Sequence, residues 1–257
     1  MTSSLAQRVS AAAHDALPHA NPLSVDQVEA LIRSLAAPQP RTALDIGCGP
    51  GSLAIALAAL SPTAVTAIDN NVDFLARGRQ SARARPLLGS VSFEHRDAAH
   101  LGEQEFDAVL CVGSSQAFGS TLQALRRCAS LLHRGGTLLF ADLVWSAPPD
   151  DSLLSFLGVE RSVYWDEHAE RDAFDSAGLS LIEVTRASTD SWNSYEARIH
   201  RGRLEFAATL PQDDGEQARA RAVAWAEAYR TYGQYCLGFN AYLARQPGPE
   251  TQDVDST

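Results

Sequence analysis

Lysine is absent from this sequence of 257 residues, since all 21 basic residues are arginines. Without a lysine the chain can form no Schiff base with pyridoxal phosphate and cannot supply the lysine of a phosphate-binding P-loop. The formal net charge is −10. Affinity for a nucleic-acid backbone comes largely from cationic side chains, so this charge disfavours a nucleic-acid partner.

Long apolar runs and clustered metal ligands are missing as well. No apolar stretch approaches the ~18 residues that a membrane-spanning helix needs, and residues 1–4 lack the cationic start of a secretory signal. The four cysteines include no Cys-x-x-Cys pair and the seven histidines show no close cluster, so we expect no metal site. These absences favour a cytoplasmic protein with reduced, buried cysteines and no membrane contact.

The segment 43–53 is the most informative part of the chain. Apolar residues around Asp45 predict a buried strand, glycines follow at positions 47, 49 and 51, and an apolar helical run over 53–59 comes next. Glycines let the backbone approach a ligand closely, because no Cβ atom intervenes. The pattern predicts a small-molecule pocket, with Asp45 where the strand ends.

A dinucleotide-binding turn is the alternative for this segment. That pattern, Gly-x-Gly-x-x-Gly, would begin at Gly47 and require glycine or alanine at position 52, where the chain has Ser52. The carboxylate of Asp45 would also repel a pyrophosphate, whereas it would attract a cation. The spacing therefore favours a ligand with a positive group, and an NAD-dependent oxidoreductase is the less favoured alternative.

A second carboxylate follows at the end of the next predicted strand, 64–69. Asp69 lies 24 residues after Asp45, which is room for one turn, one helix and a returning strand. An acidic residue about 20 residues past such a glycine turn is placed to accept hydrogen bonds from ribose hydroxyls. Asp69 is therefore a predicted cofactor residue.

Strands and helices continue to alternate along the chain, which predicts a parallel, doubly wound α/β sheet. The third predicted strand and the polar loop after it span 91–98. The later predicted strands are 106–113, 136–142, 179–185 and 232–243. The predicted helices are 6–17, 25–36 with Ser24 as its N-cap, 121–132, 166–177 and a long helical region over 190–229.

Two sets of residues resemble a known family. Asp45 and the three glycines match the first motif, acidic-x-Gly-x-Gly-x-Gly, of the class I S-adenosylmethionine (SAM) dependent methyltransferases. The segments 190–196 and 232–239 resemble bacterial enzymes of the ubiquinone/menaquinone-type methyltransferase superfamily, similar to the YjhP group. The likeness spans residues 21 to about 245.

The resemblance implies a Rossmann-like fold of seven strands in the order 3-2-1-4-5-7-6, with strand 7 antiparallel and helices on both faces. It implies one methyltransferase domain over 1–245, followed by a tail, 246–257, that we expect to be disordered. Within the domain, residues 1–40 form a helical lid, 41–145 bind SAM, and 146–245 supply a pocket cover, the last strands and a helical insertion.

The resemblance also implies roles for individual residues. The expected cofactor residues are Asp45, Gly47, Cys48, Gly49, Gly51, Asp69, Asn70, Asp97, Ala98, Cys111 and Gly113. The expected acceptor residues are Ser114, Ser115, Gln116, Trp145, Trp192, Tyr195, His19 and Asn21. Asp142 is the candidate general base, because it follows the fifth strand, where open α/β sheets bind ligands.

The expected reaction is methyl transfer from SAM to a small molecule, which leaves S-adenosylhomocysteine, by a monomer or homodimer. A catalytically silent SAM-binding regulatory module is an alternative. The segments 141–145 and 113–116 depart from the usual sequences of the YjhP group. The identity of the acceptor is therefore not carried over.

Overall fold

Seven strands form a single sheet in the computed structural model, which describes residues 3–15 and 17–248. The strands are β1 Thr42–Ile46, β2 Ala64–Asp69, β3 Ser90–His95, β4 Phe106–Val112, β5 Leu132–Trp145, β6 Ser180–Arg186 and β7 Leu237–Arg245. Their order is β3-β2-β1-β4-β5-β7-β6. The first five are parallel, and β7 runs antiparallel to β5 and β6. The predicted fold and strand order are confirmed.

Helices cover both faces of this sheet. They are α1 Leu5–Ala13, α2 Val25–Ala36, α3 Ser52–Leu60, α4 Val72–Arg83, α5 Thr121–Ser130, α6 Asp151–Leu157, α7 Glu170–Ser176, α8 Thr189–Ala207 and α9 Gln212–Ala228. Ser24 caps α2 as predicted, because its side chain accepts from Gln27 N and the Gln27 side chain accepts from Ser24 N. No helix within 3–15 and 17–248 is long and apolar enough to cross a membrane.

Several predicted boundaries are wrong. The helix expected over 6–17 ends at Ala13, where the His14 ring bonds the Ser10 carbonyl in the last turn. The strand expected from Tyr232 starts only at Leu237, because a wide helical turn, Tyr229–Gly233, prolongs α9. Pro211 separates the long helical region into α8 and α9.

The predicted tail also begins too early. Gln246 bonds the start of β5 through Gly135 and Gly136, at 3.0 and 2.9 Å, so it extends the sheet. The rest of the expected tail, 249–257, lies outside the described residues.

The core consists of two apolar layers, one on each face of the sheet. In β1, Ala43 belongs to one layer, whereas Leu44 and Ile46 belong to the other. Side chains alternate along a strand, so a central strand that is covered on both faces is apolar throughout. Asp45 is 2% exposed and interrupts this strand one residue before its end.

The carboxyl ends of β1, β2 and β4 lie side by side. Ile46 is in register with Ile68 of β2 and with Cys111 of β4. The loops that follow these strands therefore meet at one edge of the sheet, which is where open α/β sheets bind ligands.

Candidate cofactor and acceptor site

The glycine turn after β1 brings two loops together and leaves bare backbone beside a cavity. Gly47 has φ +64°, and a Cβ atom there would lie 2.5 Å from the Cβ of Ser114, in the loop after β4. Gly49 has φ +55°, and a Cβ atom there would meet nothing within 4 Å. Gly47 therefore permits the close approach of the loops, and Gly49 opens its backbone to the space above the turn.

That space is a cavity of about 420 Å³. It lies between α1, the segment 20–21, and the loops that follow β1 to β4. Cavities of this size hold one small-molecule ligand or cofactor. We call it the first cavity.

Asp45 lies on the wall of the first cavity. Its Oδ2 atom is buried and has no hydrogen-bond partner within the part of the chain that the structure describes. Burial, and to a smaller extent the charge of Asp69, raises the pKa of Asp45 to about 7, although the Ala54 amide opposes the shift. A buried carboxylate oxygen without a hydrogen-bond donor is an attractive site for a cationic group.

Asp69 joins the ends of two loops. Its Oδ2 accepts from Gly49 N at 2.9 Å and its Oδ1 accepts from Asn71 N at 2.7 Å. Burial raises the pKa of Asp69, and these amide bonds counteract the shift. Since each carboxylate oxygen can accept a second hydrogen bond, Asp69 can hold the glycine turn and also receive hydroxyl groups from a ligand.

Helix α1 closes the first cavity from above. Gln7, Ser10 and His14 line the cavity from positions i, i+3 and i+7, on one side of the helix. The Gln7 side chain donates to Asn70 O at 3.2 Å, and the Asn71 side chain donates to Gln7 O at 3.0 Å. These bonds hold α1 against the loop after β2, and its role as a lid remains a prediction.

Sequence reasoning missed part of this lining. Gln7 and Ser10 were not predicted, although their spacing among alanines was a usable signal. Phe74 on α4 and Arg96 after β3 also line the cavity. Nothing in the local sequence distinguishes them from ordinary helix and loop residues.

Most of the predicted cofactor residues gather at the first cavity. Those that line it are Asp45, Gly47, Cys48, Gly49, Asp69, Asn70, Asp97, Ala98 and Gly113. Gly51 and Cys111 do not line it. A Cβ atom at Gly51 would meet the Phe93 ring at 2.3 Å, and Cys111 is buried behind Ser114 with 3.8 Å between Sγ and Oγ.

The predicted acceptor residues are divided by the structure. Asn21, Ser114 and Gln116 line the first cavity. His19 and Tyr195 instead line a second cavity of about 330 Å³, which shares Asn21 with the first. The second cavity lies between the segment 17–25 and the start of α8.

Three predicted acceptor residues are packed elsewhere. Ser115 is fully buried, with 0% exposure. Trp145 is 1% exposed, packs edge-on against Tyr164 and donates from Nε1 to Arg161 O at 2.8 Å. Trp192 packs between other aromatic rings and borders neither cavity. Ser115, Trp145 and Trp192 therefore line neither the first nor the second cavity.

The prediction of Asp142 as a general base does not agree with its surroundings. Asp142 is 3% exposed and does not line the first cavity. Its Oδ2 accepts from Ser115 N at 3.0 Å and its Oδ1 accepts from Leu143 N at 2.7 Å. Burial raises its pKa. Asp142 thus fixes the loop after β4 against the end of β5, and it holds Ser114 and Gln116 at the cavity.

Comparisons with known proteins agree with this geometry. A family model described as a methyltransferase domain matches residues 43–136, which include the glycine turn and Asp69. YjhP of Escherichia coli is 26% identical over 226 residues, which cover 86% of this chain and 91% of YjhP. A ubiquinone biosynthesis O-methyltransferase of Xanthomonas campestris is 36% identical over 145 residues, which cover 54% of this chain and 56% of that enzyme.

Solved structures show the same architecture. The X-ray structure of YjhP has a TM-score of 0.82 at 25% identity, and the comparison covers 92% of this chain and 98% of YjhP. A SAM-dependent methyltransferase from Thiobacillus denitrificans, in complex with S-adenosylhomocysteine, has a TM-score of 0.80 at 24% identity. The comparison covers 92% of this chain and 97% of that enzyme. These findings support a methyltransferase and not an NAD-dependent oxidoreductase. Residues 43–136 match a methyltransferase domain, and the chain has the fold of the class I SAM-dependent methyltransferases.

Proposed function

We propose that this methyltransferase binds SAM in the first cavity, between α1 and the ends of β1 and β2, and methylates a small-molecule acceptor. The observation that carries the proposal is the unpartnered Oδ2 of Asp45, buried at the wall of a cavity where Gly49 leaves bare backbone. SAM carries an α-ammonium and a sulfonium, and both prefer a site with negative potential. S-adenosylhomocysteine is the product that remains.

The two carboxylates divide the recognition of SAM between them. Asp45 attracts the cationic amino-acid end, because a charge-assisted contact gives its unpartnered Oδ2 a hydrogen-bond donor. Asp69 receives the ribose hydroxyls on the lone pairs that Gly49 N and Asn71 N leave free. Asp97 and Ala98 also line the cavity, and we assign them to the adenine edge.

The acceptor is small, because its approach is limited by the lid and by the loop after β4. The second cavity, of about 330 Å³, adjoins the first and shares the lining residue Asn21 with it. When bound, SAM supplies a methyl carbon that is already activated by the sulfonium. The protein then contributes orientation and the exclusion of water.

Calorimetric titration with SAM, 5′-methylthioadenosine and NADH tests this proposal. The wild-type protein should bind SAM and not NADH. Asp45→Asn should weaken SAM binding roughly 10- to 100-fold, the loss of one charge-assisted contact, with little effect on methylthioadenosine, which lacks the amino-acid end. Asp69→Ala should weaken both ligands.

The result that contradicts the proposal is equally specific. Unchanged SAM affinity in folded variants of both carboxylates, or binding of NADH without SAM, would show that the first cavity has another ligand. Circular dichroism of each variant establishes that it is folded before the titration.

A further inference from the structure

The second cavity meets the first at a hydrogen bond between the residue after α1 and helix α8. His14, which follows α1, lines the first cavity, and Tyr195 of α8 lines the second. His14 Nε2 and the Tyr195 hydroxyl are 3.1 Å apart. One hydrogen bond therefore connects the space proposed for SAM with the space beside it.

The surroundings of His14 decide which atom donates in this bond. Nδ1 lies 2.8 Å from the Ser10 carbonyl oxygen, which can only accept, so Nδ1 carries the proton. Nε2 of a neutral ring is then an acceptor, and the Tyr195 hydroxyl donates to it. The tautomer follows from the hydrogen-bond network.

The charges around the pair favour this neutral state. Burial lowers the pKa of His14, and the guanidinium groups of Arg203 on α8 and Arg77 on α4 lower it further, although the Ser10 carbonyl opposes the shift. Burial also raises the pKa of Tyr195, and so does the neighbouring Glu196, with Arg203 opposing. At neutral pH the pair is a phenol that donates to an unprotonated imidazole.

We propose that the second cavity holds a hydroxyl-bearing acceptor and that Tyr195 and His14 remove its proton as the methyl group is transferred. The inference rests on the proposed function. The acceptor hydroxyl donates its proton to Tyr195 Oη, while the Tyr195 proton passes to His14 Nε2. The acceptor oxygen forms a bond to the methyl carbon, the carbon–sulfur bond of SAM breaks, and its electron pair stays on sulfur. The balance is one ether, one S-adenosylhomocysteine and one proton on His14, which is then lost to solvent.

The lining of the second cavity indicates the class of acceptor. Its lining combines apolar side chains, among them Leu17, Pro22 and Leu23, with polar ones, among them Ser194, Tyr195 and Arg198 on α8. A molecule with an apolar body and at least one hydroxyl fits this mixed lining. A hydroxyl needs a proton acceptor as it attacks, whereas an amine needs mainly orientation, so the Tyr195–His14 pair favours oxygen over nitrogen.

The first experiment measures SAM affinity and methyl transfer in Tyr195→Phe, which keeps the ring and removes the hydroxyl. Because Tyr195 does not line the first cavity, SAM affinity should stay within about twofold of the wild type, while kcat for a hydroxyl acceptor should fall roughly 10²-fold or more, the usual contribution of a positioned base. Tyr235→Phe is the matched control, since Tyr235 is 70% exposed. Loss of SAM affinity in Tyr195→Phe, or unchanged kcat, would overturn the inference.

The second experiment uses His14, a positioning residue that acts through Tyr195. In the wild type, kcat should rise with pH through the pKa of His14, below 6.5, and then level off, because only the neutral ring accepts the proton. His14→Gln should lose this rise of kcat with pH, whereas His168→Gln, at an exposed position, should keep it. A rise that survives in His14→Gln contradicts the relay.

A third measurement does not depend on turnover. The ¹⁵N shifts of His14 in the ligand-free protein should show a protonated Nδ1 and an accepting Nε2 at pH 7, and Tyr195→Phe should shift the Nε2 signal. A protonated Nε2 in the wild type would contradict the donor assignment that the relay requires.

The acceptor class is tested with methyl-labelled SAM and a small-molecule extract from bacterial cells, together with catechol, 4-hydroxybenzoate and benzylamine as defined probes. We expect labelled methyl ethers, from which hydriodic acid releases methyl iodide. Labelled amines alone, or no transfer despite tight SAM binding, would overturn the hydroxyl inference and leave the cofactor proposal standing. Failure to bind SAM would count against the proposed function itself.

Discussion

Gly47 and Ser114 are in closer contact than any residue with a side chain at position 47 would allow. A Cβ atom on Gly47 would lie 2.5 Å from Ser114 Cβ and 2.7 Å from Ser114 Oγ. Ser114 Oγ donates to Ile46 O at 2.8 Å, so the loop after β4 is bonded to the end of β1. The glycine motif therefore shapes the contact between two loops as well as the approach of a ligand.

Gly47→Ala should destabilise the protein and weaken SAM binding. The positive φ alone costs a residue with a side chain roughly 1–3 kcal/mol, and the clash with Ser114 adds to that cost. Gly158→Ala is the matched control, because Gly158 has φ +67° and open space around its Cβ position. Thermal unfolding of both variants separates the clash from the backbone strain.

Equal destabilisation by Gly47→Ala and Gly158→Ala would contradict the predicted clash with Ser114. A second check is Gly47→Ala combined with Ser114→Gly, which removes the opposing Cβ atom. Recovery of stability in the double variant, relative to Gly47→Ala, would be the coupling expected of two residues in direct contact.

Asp45→Asn should stabilise the protein without ligand while it weakens SAM binding. The pKa of Asp45 is raised from 3.8 to about 7 by folding, so the folded state binds the proton more tightly than the unfolded state. The protonated Asp45 contributes fully to the free energy of unfolding below about pH 4. This contribution, on the order of 4 kcal/mol, is lost as the pH rises to about 7. Chemical unfolding at pH 5, 6, 7 and 8 measures it.

The stability difference between Asp45→Asn and the wild type should grow over that range and become constant above pH 7. Asp73→Asn is a suitable control, because Asp73 lies in the first turn of α4 outside the lining of the first cavity. A difference that does not change with pH would mean that Asp45 is ionised at little cost in the folded protein.

SAM binding should release a proton below pH 7. The α-ammonium prefers the ionised form of Asp45, so at pH 6 binding must expel the proton that burial holds there. Above the α-amino pKa of about 8, binding should take up a proton instead, because the ammonium form is the one that pairs. Calorimetry in buffers of different ionisation enthalpy measures the sign, and in Asp45→Asn the release at pH 6 should disappear.

The sheet and the glycine turn could be predicted from sequence because their signals are local. The strand 64–69 agrees with β2 in both boundaries, since an apolar run and a terminal carboxylate mark it fully. Asp45 and Asp69 come together because both lie at the carboxyl ends of two adjacent parallel strands, Asp45 one residue before the end of β1 and Asp69 at the end of β2.

The acceptor side could not be predicted in the same way. Asp142 follows a strand, as a base could, but its burial against the Ser115 and Leu143 amides depends on a loop fold that the sequence does not encode locally. Trp192 lies in a helix whose aromatic face packs on Tyr229 and Phe239, and periodicity cannot tell such packing from a ligand wall. His14 and Tyr195 are 181 positions apart in the sequence, so only the tertiary structure reveals their hydrogen bond.

Gly202→Val should loosen the lid and shorten the residence of SAM. A Cβ atom on Gly202 of α8 would lie 2.9 Å from Ala13 Cα at the end of α1, so a side chain there pushes α1 away. Helix propensity favours valine over glycine, so α8 itself should not be weakened. Stopped-flow fluorescence should show faster SAM dissociation, with Ala197→Val, at an exposed position of α8, as the control. If the two variants release SAM at the wild-type rate, the contact between α1 and α8 does not govern closure of the cavity.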